Sequence, residues 1–137
     1  MRSPICVLLA DDHPVVHQGI HDFCADAGDI ELIGIAENGS QTRLLLQQTQ
    51  PDILLLDLQM PDNDPVANIR FAQQYCPHTR VIIFSAFCDA VSVSELVERG
   101  IHGYVVKTEG LHMVLDAMRR VAQGEKWFSQ QVLCWQH

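Results

Sequence analysis

Four short apolar runs, each closed by a polar residue, constrain this chain more than anything else in its sequence. Ile5–Ala10 closes on Asp11 and Asp12, Ile53–Leu56 on Asp57, Val81–Phe84 on Ser85, and Tyr104–Val106 on Lys107. Runs this short, rich in branched residues and bounded by turn-formers, read as strands buried on both faces, the pattern of a parallel sheet. Parallel strands all point the same way, so the groups at their carboxyl ends converge on one edge of the sheet, where open α/β folds bind ligands. Three carboxylates, a hydroxyl and an ammonium then meet in one crevice. Such a set can hold a divalent cation and a phosphoryl group, with one carboxylate as acceptor.

The segments between the runs read as helices. Pro14 to Ala27 carries Val15, Val16, Ile20, Phe23 and Cys24 on or near one face, and Gly28 closes it as a C-cap. Glu31–Ala36 reads as a further strand, and Asn38-Gly39-Ser40 as a turn that starts a helix with Leu44, Leu45 and Leu46. Asp64 followed by Pro65 has the form of an N-cap with proline at the first helical position. Val66, Ile69 and Ala72 give that helix its stripe, Val91 to Arg99 forms a shorter one closed by Gly100, and Val114, Ala117, Met118 and Val121 mark the last. Strands and helices alternating with short connections imply a doubly wound, five-stranded parallel sheet of flavodoxin-like topology. Residues 1–124 form that domain, and 125–137, with Trp127, Phe128 and Trp135, is a C-terminal extension: a short extra helix or the start of a linker.

Charge narrows the partners. Seventeen acidic residues against nine basic ones give a net charge of −8, which disfavours direct nucleic-acid binding, because neutralising phosphates needs clustered Lys and Arg. No apolar run approaches the ~20 residues of a membrane span, and Met1-Arg2-Ser3-Pro4 leading straight into a strand is not the pattern of a signal peptide. Five scattered cysteines without a C-x-x-C pair fit reduced thiols and a cytoplasmic location, with Cys6 as a buried structural thiol.

Taken together, Asp11-Asp12-His13-Pro14, Asp57-Leu58-Gln59-Met60-Pro61, Ser85-Ala86 and Gly103-Tyr104-Val105-Val106-Lys107 resemble the receiver domain of two-component response regulators, over about Ile5 to Gly124. Asp-Asp-His-Pro, and a Gly-Tyr-Val-Val-Lys followed by Thr108 rather than proline, are most similar to receivers of NarL/LuxR-type regulators. The resemblance implies that Asp57 takes a phosphoryl group from a sensor histidine kinase. It implies Mg²⁺ held by Asp12, Asp57 and the backbone carbonyl of Gln59, with Asp11 binding through water or directly. It further implies Lys107 on a phosphate oxygen, Ser85 as the switch hydroxyl aided by the backbone N–H of Ala86, and Tyr104 moving inward behind it. Homodimerisation on phosphorylation and transcriptional control through an output domain, absent from this sequence, would follow. The chain is then either a stand-alone receiver or the receiver part of a transcription factor.

Some residues depart from that pattern. Pro65 stands where receivers usually have glycine, which stiffens the loop and removes a backbone donor. Asp62 and Asp64 add carboxylates near the site in sequence. Gln59 and Phe87, two residues beyond Asp57 and Ser85, are candidates for tuning the phosphoryl lifetime. His13, His17 and His21 recur every four residues, but no carboxylate or thiol at helical spacing completes a metal site, so an exposed helix face with one imidazole beside the acidic pocket is the expectation. Two alternatives compete: a phosphorylation-independent interaction module of the same fold, and an aspartate-nucleophile phosphohydrolase. The second is disfavoured because Gln59 stands where such enzymes carry an acid/base aspartate. A nucleotide or flavin binder is disfavoured because no glycine-rich loop follows the first strand.

Overall fold

The computed structural model describes residues 3–62, 64–86 and 89–133. Strands and helices alternate as β1 (Ile5–Ala10), α1 (Pro14–Ala27), β2 (Ile30–Ala36), α2 (Gly39–Thr49), β3 (Ile53–Leu56) and α3 (Pro65–Tyr75). They continue as β4 (Arg80–Ser85), α4 (Ala90–Glu98), β5 (Gly103–Val106), a 3₁₀ turn over Lys107–Glu109, α5 (Leu111–Ala122), β6 (Trp127–Phe128) and α6 (Gln130–Leu133). The strands form one sheet in the order β2-β1-β3-β4-β5-β6, every neighbouring pair parallel.

Period-two alternation sorts the strand residues between two cores. Leu8, Ala10, Leu54, Leu56, Val81, Ile83, Tyr104 and Val106 face one way and pack with Leu46, Ile69, Ala72, Val93 and Leu96 of α2, α3 and α4. Val7, Leu9, Ile53, Leu55, Ile82, Phe84 and Val105 face the other way, onto Ile20 and Cys24 of α1 and Val114, Ala117, Met118 and Val121 of α5. Covering both faces is what keeps β1, β3, β4 and β5 apolar almost without interruption, and each fully buried aliphatic side chain contributes about 1.5–3 kcal/mol.

Local signals set the helix ends. Asp64 accepts from Ala67 N at 3.2 Å with Pro65 at the first helical position, Asn38 accepts from Gln41 N, and Asp89 accepts from Ser92 N. Gly28 closes α1 at φ 79°, its N–H donating to the Cys24 carbonyl. The left-handed region is nearly free of strain only for glycine.

Among the described residues the sheet has six strands rather than the five expected. Trp127 and Phe128 pair with Gly103 and Tyr104, and Ser129 N–H donates to the Tyr104 carbonyl at 2.9 Å. The Ser129 hydroxyl lies 3.1 Å from both Val106 N and Tyr104 O, and Val132 is buried beside Tyr104 and Val106. Trp127 packs on the second core and donates its indole N–H to Asp116; Trp135 lies outside the described residues. One further expectation shifts. Cys6 is half-buried rather than buried, because it sits where β1 emerges at the amino end of the sheet. β5 stops at Val106, and Lys107 opens the 3₁₀ turn that follows.

Candidate functional site

The carboxyl ends of β1, β3, β4 and β5 deliver the site. Asp11 N–H donates to Ala36 O and Asp57 N–H to Ala10 O, both at 2.9 Å, so the parallel ladders run on into the two aspartates and fix them side by side. Asp11 and Ser85 are fully buried and Asp57 is 2% exposed. Lys107 reaches over from the end of β5, its Nζ 2.7 Å from Asp11 Oδ2 and 3.3 Å from Asp57 Oδ2, and 5.5 Å from the Phe84 ring centroid. Gln59 is exposed on the following loop, and its backbone N–H lies 3.2 Å from Asp57 Oδ1.

Burial pushes the Asp57 carboxyl above the ordinary aspartate range, and the neighbouring charge of Asp11 pushes the same way. The Gln59 N–H and Lys107 pull against it and do not win. With Asp11, Asp12 and Asp57 gathered about the Lys107 ammonium, the pocket is short of positive charge among the described residues. Asp11, Asp12, His13 and Asp57 each offer one ligand atom, and these atoms all lie within 4.8 Å of one another. Asp12 Oδ1 is buried without a hydrogen-bond partner, an arrangement that costs free energy unless a cation satisfies it. Hard carboxylate oxygens with room for water and phosphate suit Mg²⁺, so the residues present fit the ion.

The imidazole of His13 is the part of the site that sequence reasoning placed only loosely. His13 Nδ1 stands 2.8 Å from Asp11 Oδ1, 3.4 Å from Asp12 Oδ1 and 3.7 Å from Asp57 Oδ2. Its partners sit at strand ends, so a search at helical spacing misses them. The available signal was the Asp-Asp-His run immediately before a proline-started helix. His17 turns instead to the Asp11 backbone carbonyl, and His21 lies beside Asp22 on the exposed face.

Asp62 and Asp64 do not join the pocket. Asp62, at φ 51°, accepts from the Ser40 hydroxyl at 2.7 Å, and Asp64 caps α3. Ala86 is an exposed bend after β4, and Phe87 lies outside the described residues. Tyr104 is fully buried and lines a cleft of about 370 Å³ with Leu58, Val66, Asp89, Glu95 and Leu96, between α3, α4 and β5.

The family model of the response regulator receiver domain matches residues 7–119. The chain belongs to this family. It is 30% identical over 129 residues to the response regulator protein VraR of Staphylococcus aureus, an alignment covering 94% of this chain and 62% of that protein. The chain thus spans 62% of the length of the curated relatives it matches. Among solved structures it resembles the signal receiver domain of the putative response regulator NarL from Mycobacterium tuberculosis (26% identity, TM-score 0.84, 90% of this chain and all of that one). It also shares its fold with a LuxR-family two-component response regulator from Aurantimonas sp. SI85-9A1 (23% identity, TM-score 0.88, 96% and 94% covered). These likenesses agree with the NarL/LuxR type expected from the sequence. Among the described residues, no helix is long and apolar enough to cross a membrane.

Proposed function

We propose that this receiver is a phosphorylation switch in which Asp57 accepts a phosphoryl group from a sensor histidine kinase. The observation that carries the reading is the meeting of a nearly buried Asp57 with Lys107, Asp11 and Asp12 at one sheet edge. Asp57 rather than Asp11 is the acceptor. Asp57 ends β3, the strand between β1 and β4, so its carboxylate stands at the middle of the sheet edge with Asp11 and Lys107 beside it.

A carboxylate oxygen of Asp57 attacks phosphorus, a P–O bond forms, and the P–N bond of the phosphohistidine breaks with its electron pair returning to the kinase imidazole. Asp12, Asp57, the Gln59 carbonyl and Asp11 would hold Mg²⁺, which would supply the positive charge that such an approach needs. Lys107 turns from the carboxylates to a phosphoryl oxygen as a point charge. The Ser85 hydroxyl and the Ala86 N–H donate to the new group; Tyr104, expected to move inward on phosphorylation, is fully buried in this structure without a phosphoryl group, so its part in the switch is to line the cleft beside α4. The added charge of about −1.5 to −2 is the input, and the surface around β5 is the output. That surface would support homodimerisation and, in a longer regulator, control of transcription.

Intact-mass measurement after incubation with acetyl phosphate and Mg²⁺ tests the reading. One added phosphoryl group, lost in Asp57→Asn and in EDTA, is the expected result. No added mass, with Mg²⁺ binding independently confirmed, would overturn it in favour of a phosphorylation-independent module.

A further inference from the structure

We propose that Ser129, in the C-terminal segment beyond residues 7–119 that match the family model, is a positioning residue for phosphoryl transfer. Its hydroxyl fastens the end of β5 and so sets where the Lys107 ammonium and the Ser85 hydroxyl stand. The inference rests on the reading of Asp57 as phosphoryl acceptor and adds to it a residue that touches neither the phosphoryl group nor the metal.

The hydrogen bonds of β6 show an exchange of roles. In a parallel ladder the bonds run evenly spaced and slanted between the two strands. Trp127 N–H donates to the His102 carbonyl at 3.0 Å, and Ser129 N–H to the Tyr104 carbonyl at 2.9 Å. The next rung would bring Val106 N–H to the Ser129 carbonyl. That carbonyl is already taken, because α6 starts here and Val132 N–H and Leu133 N–H donate to it at 2.9 and 3.0 Å. The Ser129 hydroxyl fills the gap, accepting from Val106 N–H and donating to the Tyr104 carbonyl, both at 3.1 Å. A serine before a helix ordinarily turns its oxygen to the first N–H groups of that helix. Here the oxygen turns to the sheet.

The place of this bond gives it a consequence for the site. Val106 precedes Lys107, and in the β4–β5 register it stands opposite Ser85. Past Val106 the backbone leaves the strand for the 3₁₀ turn, so the Ser129 bond is the last rung on this side of β5 before Lys107. Ser129 is 1% exposed and Val106 3%, so water has little access to stand in for the hydroxyl, and without it a buried N–H loses its partner. Val132, fully buried beside Tyr104 and Val106, keeps α6 seated so that the hydroxyl stays aimed. Lys107 holds two buried carboxylates at 2.7 and 3.3 Å before it turns to a phosphoryl oxygen. A strand end free to shift misplaces that ammonium, and transfer is steep in such displacements.

The test follows initial rates of labelling by acetyl phosphate with Mg²⁺, read by intact mass over a range of acetyl phosphate concentrations and well below the melting temperature of every variant. The full wild-type chain is compared with Ser129→Ala, Ser129→Cys, Ser129→Thr, Asp57→Asn and Ile30→Val, the last trimming a buried side chain of β2 at the far edge of the sheet. The expected result is a maximal rate lower by about fivefold or more in Ser129→Ala and Ser129→Cys. The half-saturating concentration stays within about twofold of wild type, and the Val106 amide exchanges its hydrogen faster. Ser129→Thr, which keeps the hydroxyl, and Ile30→Val keep the wild-type rate. Ser129→Cys is close to serine in size but its thiol is a weak acceptor, so it decides the question if Ser129→Ala does not fold. A wild-type rate in the Ala and Cys variants overturns the inference, as does an equal slowing in Ile30→Val or an unrescued rate in Ser129→Thr. Labelling of the wild type that is lost in Asp57→Asn then leaves the switch reading standing. A wild type that takes no label overturns both.

Discussion

Removing the ammonium of Lys107 tests how the acidic pocket is held together before any phosphoryl group arrives. In Lys107→Ala, Asp11 and Asp57, at 0% and 2% exposure, lose the cation that lies 2.7 Å and 3.3 Å from their oxygens. At an effective dielectric of about 20 these two contacts are worth roughly 6 and 5 kcal/mol in gross Coulomb energy. Much of that offsets the desolvation of the three ions, and breaking a buried pair by removing one partner typically costs 3–5 kcal/mol. Lys107 keeps 15% exposure and water can reach the gap it leaves, so the lower end applies: a loss of about 3 kcal/mol. For a chain of this size that is on the order of 10 °C in melting temperature. Added Mg²⁺ replaces the missing charge, and at about a hundred times its dissociation constant contributes about 2.7 kcal/mol, so its stabilisation is larger in the variant than in the wild type. Urea and thermal denaturation, each with EDTA and with Mg²⁺, measure both effects. A metal-free loss under about 0.5 kcal/mol, or a Mg²⁺ gain equal in the two proteins, would refute the account of a pocket short of positive charge.

Three further outcomes follow from the geometry. Because burial raises the Asp57 carboxyl above its unfolded value, its ionisation opposes folding: the stability it contributes is complete below the unfolded pKa of about 3.9 and is lost as pH rises through the folded value. Metal-free Asp57→Asn should therefore melt no lower than wild type at neutral pH and lose less stability as pH rises out of the acid range, which a pH series of thermal melts in EDTA decides. In Gly103→Ala the new Cβ would meet the Trp127 backbone oxygen at 2.9 Å and Ile82 Cγ1 at 3.3 Å. Since a paired backbone cannot yield cheaply, urea denaturation should record a loss of about 1–3 kcal/mol, with faster hydrogen exchange at the Trp127 amide; an unchanged midpoint would mean β6 does not hold that strand. Arg119 and Asp29 make two 2.9 Å bonds but are 42% and 51% exposed, so Arg119→Ala should cost at most about 1 kcal/mol, and less in high salt, by the same denaturation assay.

What could be read from the sequence, and what could not, divides along a physical line. The strand ends were legible because burial on both faces forces continuous apolar runs, and because parallel strands leave their carboxyl-end groups no other place to meet. Asp11, Asp57, Ser85 and Lys107 needed only the run, its direction and its last residue. β6 was not legible. Trp127 and Phe128 form two residues of strand with no run to announce them, and their pairing depends on a close approach to Gly103 that no local pattern encodes. Proximity in sequence could not decide the place of Asp62 and Asp64. Their carboxylates are spent on Ser40 and on the amino end of α3, which a reading along the chain cannot separate from a place in the pocket. His13 lies between these cases. Its position beside Asp12 was plain, but its ring enters the pocket only because Pro14 starts the helix without asking the N-cap side chain for a hydrogen bond. Strand ends thus set which chemistry this edge can perform, while the conformation at one helix start sets which further side chain reaches over it. The first is written in residue pattern, and the second only in three dimensions.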